Sequence, residues 1–230
     1  MMELHQVHVF IADTGDFSHE MCVDVLSEDD RAKLKTISKR SRRLQFALGR
    51  YLLREALHIL FGELASTWKL AEHRASKPRL VGDGAPEFSL SHSHERIACA
   101  IASVPVGIDI EYRRERDFQA LTRFICTDDE WHDFQQLDAG QHKERFYQLW
   151  LLKEATYKAL GQDMEITSTG YEFEDKPKLV TRHPGIEHID LCVFTHIFGY
   201  MGALSVLGPG PYQIVYHDVT AKDTQFLAGS

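Results

Sequence analysis

Two stretches, YLLREAL at residues 51–57 and WLLKEAT at residues 150–156, decide how this chain is read. Each places a basic residue and then a glutamate after a leucine pair, and the two stand 99 residues apart. VHVFI at 7–11 and VGIDI at 106–110 keep the same separation. Beyond each helical stretch, extended segments end in similar small-residue runs, Ala100-Ile101-Ala102-Ser103 and Ala203-Leu204-Ser205-Val206. Self-similarity at a fixed offset, with the order of elements preserved, indicates an internal duplication. The expected fold is α+β: two similar α/β halves related by a pseudo-twofold, each with a small, mainly antiparallel sheet packed on a long helix. The halves are residues 1–105 and 106–230, with the junction just before Val106.

The segments between follow the same plan. Ser27 followed by Glu28, Asp29 and Asp30 is a helix start, with the acids at the positive end of the helix dipole. Leu44, Ala47, Leu48, Leu52, Ala56 and Leu60 make one apolar stripe, and Gly62 ends that helix. Residues 82–86 (GDGAP) turn the chain into FSLSHSHERIACAIAS, a strand pair. In the second half, Thr127 to Glu130 has the spacing of a capping box.

The copies diverge where chemistry is concerned. On the helix of WLLKEATYKALG (150–161), Glu154 and Lys158 are neighbours one turn apart. Such a pair is by itself a common solvent-facing arrangement. The first copy has Glu55 but Ile59 in place of the lysine, and His8 and Phe10 where the second has Gly107 and Asp109. In the strand VGIDIEY, Asp109 and Glu111 share one face while Ile108 and Ile110 share the other. Two carboxylates so placed repel unless a cation lies between them, and Mg²⁺ takes oxygen ligands of this type.

Charge is also segregated. The chain carries a net −8, which argues against a general nucleic-acid binder. Yet nine basic residues and no acid lie between Arg31 and Arg54, leaving 17 of the 26 basic residues to face all 34 acidic ones elsewhere. That segment suits an anionic ligand or an acidic partner. Three carboxylates, a lysine and a basic patch together suit chemistry on a pyrophosphate, with Ser91 and His92 in SLSHSH able to hold a further phosphate.

Four cysteines far apart in sequence form no paired framework or zinc motif, and with an N-terminus lacking a basic start they point to a reducing, cytoplasmic setting. The most apolar region, residues 191–207, is broken by polar residues and glycines and reads as two strands with a turn, not as a membrane span.

SLSHS, VGIDIE and the helix pattern formed by Trp150, Lys153, Glu154, Ala155 and Lys158 together resemble the 4′-phosphopantetheinyl transferases of the Sfp type. The resemblance implies a Mg²⁺-dependent transfer of the phosphopantetheine arm of coenzyme A to a serine of an apo acyl or peptidyl carrier protein, releasing 3′,5′-ADP, by a monomeric holo-[acyl-carrier-protein] synthase type enzyme. It implies Asp109, Glu111 and Glu154 as metal ligands, Glu154 as the base, and Lys158 on the pyrophosphate. Ser91, His92, Lys77 and one or more of Arg43 and Arg50 would bind the nucleotide, with Arg40, Arg42 and Arg79 as substitutes. Two other readings are a coenzyme A or carrier-binding module without catalysis, and a metal-dependent nuclease. The second is disfavoured by net acidity and by the four-residue helical spacing of Glu154 and Lys158.

Overall fold

The alternating segment Gln6–Asp13 forms strand β1. It is followed by helices α1 (His19–Asp24), α2 (Glu28–Thr36) and α3 (Arg40–Phe61), and by short strands β2 (Lys69–Ala71) and β3 (Arg79–Val81). Strands β4 (Glu87–Ser93), β5 (Arg96–Ala102) and β6 (Val106–Tyr112) come next, then helices α4 (Phe118–Ile125), α5 (Asp128–Gln135) and α6 (His142–Leu160). Strands β7 (Tyr171–Phe173), β8 (Pro177–Leu179), β9 (Asp190–Phe194), β10 (Tyr200–Val206) and β11 (Gln213–Val219) complete the order. The computed structural model describes residues 5–72, 77–161, 165–181 and 183–221.

The helix boundaries follow local chemistry. The Ser27 hydroxyl accepts the amide of Asp30, and Thr127 and Glu130 form a reciprocal capping box. Gly62 and Gly161 stop α3 and α6 at φ +56° and +67°, a region that other residues enter only with strain.

Two main sheets result. One has the order β11-β1-β5-β4, the other β6-β10-β9, with the small pairs β2-β3 and β7-β8 outside them. Within each half the strand order is the same: the first strand pairs antiparallel with the third, which pairs antiparallel with the second. The sequence division at 105/106 falls at the start of β6, but β11 does not stay with the second sheet. It runs parallel beside β1, Gln6 opposite Gln213 through Ala12 opposite Val219.

Three apolar clusters cover both faces of β1, β5 and β10, while β6 turns Val106, Ile108 and Ile110 to one of them and carries its acids on the other face. Phe10, Ala12, Ile97, Cys99 and Ile101 pack on Leu48, Tyr51 and Leu52 of α3. Met201 and Ala203 pack on Leu151, Leu152 and Ala155 of α6. Between the sheets, Val7, Val9 and Ile11 meet Ile108, Ile110 and Leu204. No helix among the described residues is long and apolar enough to cross a membrane. All four cysteines are free, and burial pushes the Cys22 thiol up to about 11 and the Cys126 thiol up to about 12, so neither carries thiolate near neutrality.

Two features fix the second helix against its sheet. Lys153, fully buried, pairs with Glu130 at 2.9 Å, and that glutamate also accepts the amides of Thr127 and Tyr171. This answers the Lys153 of the sequence motif: it is an internal strut between α5, α6 and β7, and burial lowers its pKa against the pull of Glu130. Gly107 lets β6 approach α6 so closely that a Cβ there would overlap the Ala155 carbonyl oxygen and the Ala159 amide nitrogen. Because both atoms are backbone, nothing can rotate away. Gly107→Ala is therefore expected to destabilise the protein by about 3 kcal/mol, the upper end of overpacking costs, read as a lowered denaturant midpoint.

Candidate active site

Helix α6 and strand β6 cross at Gly107, and this crossing sets the acidic strand residues beside the helix residues. Alternation turns Ile108 and Ile110 into the core and leaves Asp109 and Glu111 on the other face. Asp109 is 6% exposed. Its Oδ1 accepts from Lys158 Nζ at 2.6 Å and from the Ser91 hydroxyl at 2.6 Å. Lys158 also donates to the Ile108 carbonyl at 3.2 Å, so the ammonium sits over β6.

Glu111 and Glu154 both lie within the field of Asp109. Burial and then the nearby Asp109 charge raise the Glu154 pKa, with Lys158 opposing and Glu111 adding to the rise. The Glu111 pKa is likewise raised, mainly by burial and further by Asp109, against the Ser93 hydroxyl, Arg116 and Lys158. So the structure brings Asp109, Glu111, Glu154 and Lys158 into one electrostatic unit with three carboxylates and one ammonium. Its excess negative charge and all-oxygen donors fit a hard divalent cation. Among the described residues, however, no three His, Cys, Asp or Glu side chains are grouped so as to hold a metal ion. A cation taken up here would have to draw carboxylates of this unit together, with other oxygens completing its shell, which is the usual habit of Mg²⁺.

Next to this unit opens a cavity of about 760 Å³, walled by α3, β4 and the C-terminal end of α6. Of the residues the sequence put forward for nucleotide binding, Lys77, Ser91, His92, Arg50 and Lys158 line it, and Arg43 does not. Arg42 lines it instead, with a guanidinium nitrogen 3.2 Å from His92 Nε2. Arg42, Phe46 and Gly49 lie on one side of α3, the side that carries the cavity wall beside His92. Partial enclosure and the Arg42 charge lower the His92 pKa, which keeps the imidazole neutral near pH 7. The apolar walls, Phe46, Phe88 and Tyr157 among them, were not singled out from sequence.

Two expected phosphate binders are otherwise engaged. Arg50 is buried, bonded to Asp30 Oδ1 at 3.0 Å and to Glu72, and lies 4.9 Å from the Phe46 ring centre. Lys77 donates to the Val106 carbonyl at 2.9 Å and lies 3.7 Å from Glu87. Glu72 also takes up Lys33, and Arg31 donates to the Leu26 and Asp24 carbonyls. The acid-free sequence segment is thus not acid-free in space, since Asp30 and Glu72 reach it from either side.

The sequence model of the 4′-phosphopantetheinyl transferase superfamily matches residues 105–195, which hold β6 and α6. A 4′-phosphopantetheinyl transferase, gsp, of Aneurinibacillus migulanus is 31% identical over 63% of this chain and 66% of its own length. The 4′-phosphopantetheinyl transferase HetI of Nostoc sp. is 30% identical over 64% of this chain and 67% of its own. The chain belongs to the 4′-phosphopantetheinyl transferase family. It spans 62% to 66% of the length of the first curated relatives it matches. Among solved structures, the holo-[acyl-carrier-protein] synthase of Thermotoga maritima aligns at a TM-score of 0.40 and 22% identity, over 46% of this chain and 64% of that one.

The raised carboxylates carry a stability consequence. A carboxyl whose pKa is higher folded than unfolded stabilises the native state below its ordinary value near 4.5, and that contribution is lost as pH rises through the folded value. Glu111→Gln and Glu154→Gln should therefore each raise the thermal midpoint of metal-free protein at pH 8, at roughly 2–4 °C per kcal/mol of repulsion relieved. The gain should vanish at pH 4, and scanning calorimetry at the two pH values checks it.

Proposed function

We propose that the chain transfers the 4′-phosphopantetheine arm of coenzyme A to a serine hydroxyl of an apo acyl or peptidyl carrier protein, releasing 3′,5′-ADP. The observation that carries this reading is the Asp109–Lys158–Glu154–Glu111 unit opening onto a cavity flanked by Arg42 and His92. The cavity is of the size that small-molecule and cofactor sites usually have.

In this reading Arg42 and His92 hold phosphate groups of the nucleotide, with Ser91 and Lys77 shaping the wall beside them and Arg50 tying α3 to Asp30 and Glu72. Phe46 and Tyr157 offer aromatic surface for adenine or for the pantetheine arm. The attacking serine forms a new O–P bond at the phosphorus that bears the pantetheine arm, the pyrophosphate P–O bond breaks, and the electron pair leaves with 3′,5′-ADP. Glu154 takes the serine proton, and its raised pKa brings a carboxylate closer to the strength a general base needs near neutrality. Lys158, held over β6 by Asp109 and the Ile108 carbonyl, places its ammonium where charge gathers on the leaving oxygen. A Mg²⁺ held by Asp109, Glu111 and Glu154 would, when bound, polarise the phosphoryl oxygens as a Lewis acid. The two sheets with matching strand order support a pseudo-twofold relation of residues 1–105 and 106–230, and the protein works as a cytoplasmic monomer of the holo-[acyl-carrier-protein] synthase type.

Incubated with Mg²⁺, coenzyme A and an apo carrier, the protein should add one phosphopantetheine to the carrier, seen by intact-mass spectrometry. No gain on fatty-acid, polyketide or peptide carriers would contradict the reading. Asp109→Ala and Glu154→Gln should each lower turnover by about 10²-fold or more, as loss of one preorganised charged group does. Arg42→Ala should weaken coenzyme A binding in a calorimetric titration more than Arg43→Ala does.

A further inference from the structure

Strands β4 and β6 lie side by side, running the same way, and three serine hydroxyls span the gap between them. Ser89 Oγ accepts the Ile108 amide at 3.1 Å, Ser91 Oγ the Ile110 amide at 3.2 Å, and Ser93 Oγ the Tyr112 amide at 3.1 Å. A hydroxyl has one proton and two lone pairs, and an amide can only donate to it, so each proton remains to be placed. Ser91 gives its proton to Asp109 Oδ1 at 2.6 Å, and Ser93 gives its own to Glu111 Oε2 at 2.6 Å. Both distances are those of charge-assisted bonds to carboxylate. A main-chain carbonyl in the same place would satisfy the strand amide but could hand nothing on.

We infer that Ser91 and Ser93 are positioning residues: each ties a β6 amide and the adjoining carboxylate to one hydroxyl, fixing the rotamers of Asp109 and Glu111 for a divalent cation. This rests on the proposed role of those two acids. The carboxylate that is to meet a cation must be held in one rotamer, and partners of ligating groups commonly change affinity by about 10- to 100-fold when removed. At Asp109 the arrangement also matters for Lys158, since both the serine and the ammonium reach Oδ1. With Ser91 absent, Lys158 is the one partner left on that oxygen among the described residues, and the carboxylate is free to follow it.

The third rung is an internal control. Ser89 makes the same bond to a β6 amide, but the residue in register before Ile108 is Gly107, which has no side chain to position. Replacing Ser89 removes a rung of the ladder and nothing else of this kind.

The test is a Mn²⁺ titration of the full chain without substrate, followed by loss of the free-ion electron paramagnetic resonance signal, alongside thermal midpoints. Ser91→Ala and Ser93→Ala should weaken Mn²⁺ about 10-fold or more. Ser89→Ala should lower the thermal midpoint comparably yet leave Mn²⁺ affinity within about 2-fold, well below that range, and Ser93→Thr, which keeps the hydroxyl, should recover the wild-type affinity. Unchanged affinity in Ser91→Ala and Ser93→Ala, or equal weakening in Ser89→Ala, would overturn the inference and leave the serines as sheet fasteners. Wild-type protein that takes up no Mn²⁺ would overturn the metal reading itself, and the inference with it, and it would do so before any variant is compared.

Discussion

The seam between β4 and β6 is the constraint on which the rest depends. The two main sheets share no main-chain ladder, since the first ends at β4 and the second begins at β6. Ser89, Ser91 and Ser93 close the gap with side chains, while Val7, Val9 and Ile11 press on Ile108 and Ile110 from the first sheet. Left without acceptors, the buried Ile108 and Ile110 amides would each cost about 1–3 kcal/mol, so the Ser89 and Ser91 hydroxyls are needed for the fold before any chemistry is considered. Because the same hydroxyls hold Asp109 and Glu111, fold and site are specified by one set of bonds. Gly107 acts on the same strand, on the face that Asp109 and Glu111 share, where it lets α6 bring Glu154 and Lys158 into range.

The electrostatics of the molecule are divided between struts and working groups. Lys153 with Glu130, and Arg50 with Asp30 and Glu72, are buried or nearly so and multiply bonded. Removing one partner of such a pair would strand a charge, typically at about 3–5 kcal/mol. Around Lys158 the balance differs: one ammonium faces three carboxylates, and burial with mutual repulsion raises two of them. That is a strained arrangement of like charges, of the sort found where a site awaits a cation or substrate.

Much of this was legible in the sequence. The 99-residue echo gave the two helices α3 and α6 and the matched strands β1 and β6, because periodicity and capping are local properties. The period-two face of VGIDIEY and the four-residue step from Glu154 to Lys158 likewise located the acidic unit. What could not be read is what depends on long-range pairing. Strand β11 returns to β1 rather than staying with the second sheet, and no local pattern in Gln213–Val219 announces its partner. Arg43 and Arg42 differ by one position, and only the orientation of α3 tells which faces the cavity. The basic run from Arg31 to Arg54 looked unopposed because Asp30 and Glu72 lie outside it in sequence but against it in space. From sequence Ser91 reads as a phosphate binder, and its alternation with Ser89 and Ser93 gains meaning only with β4 beside β6.

The central claim is that the face shared by β6 and α6, together with the cavity beside it, forms one site for a divalent cation and a coenzyme A nucleotide. A crystal structure of the protein with Mn²⁺ and coenzyme A, phased for the anomalous signal of the metal, tests this most directly. The account predicts a single strong anomalous peak against Asp109, Glu111 and Glu154, with the nucleotide phosphates beside Arg42 and His92. A metal bound elsewhere, or a nucleotide lying outside that cavity, would contradict it.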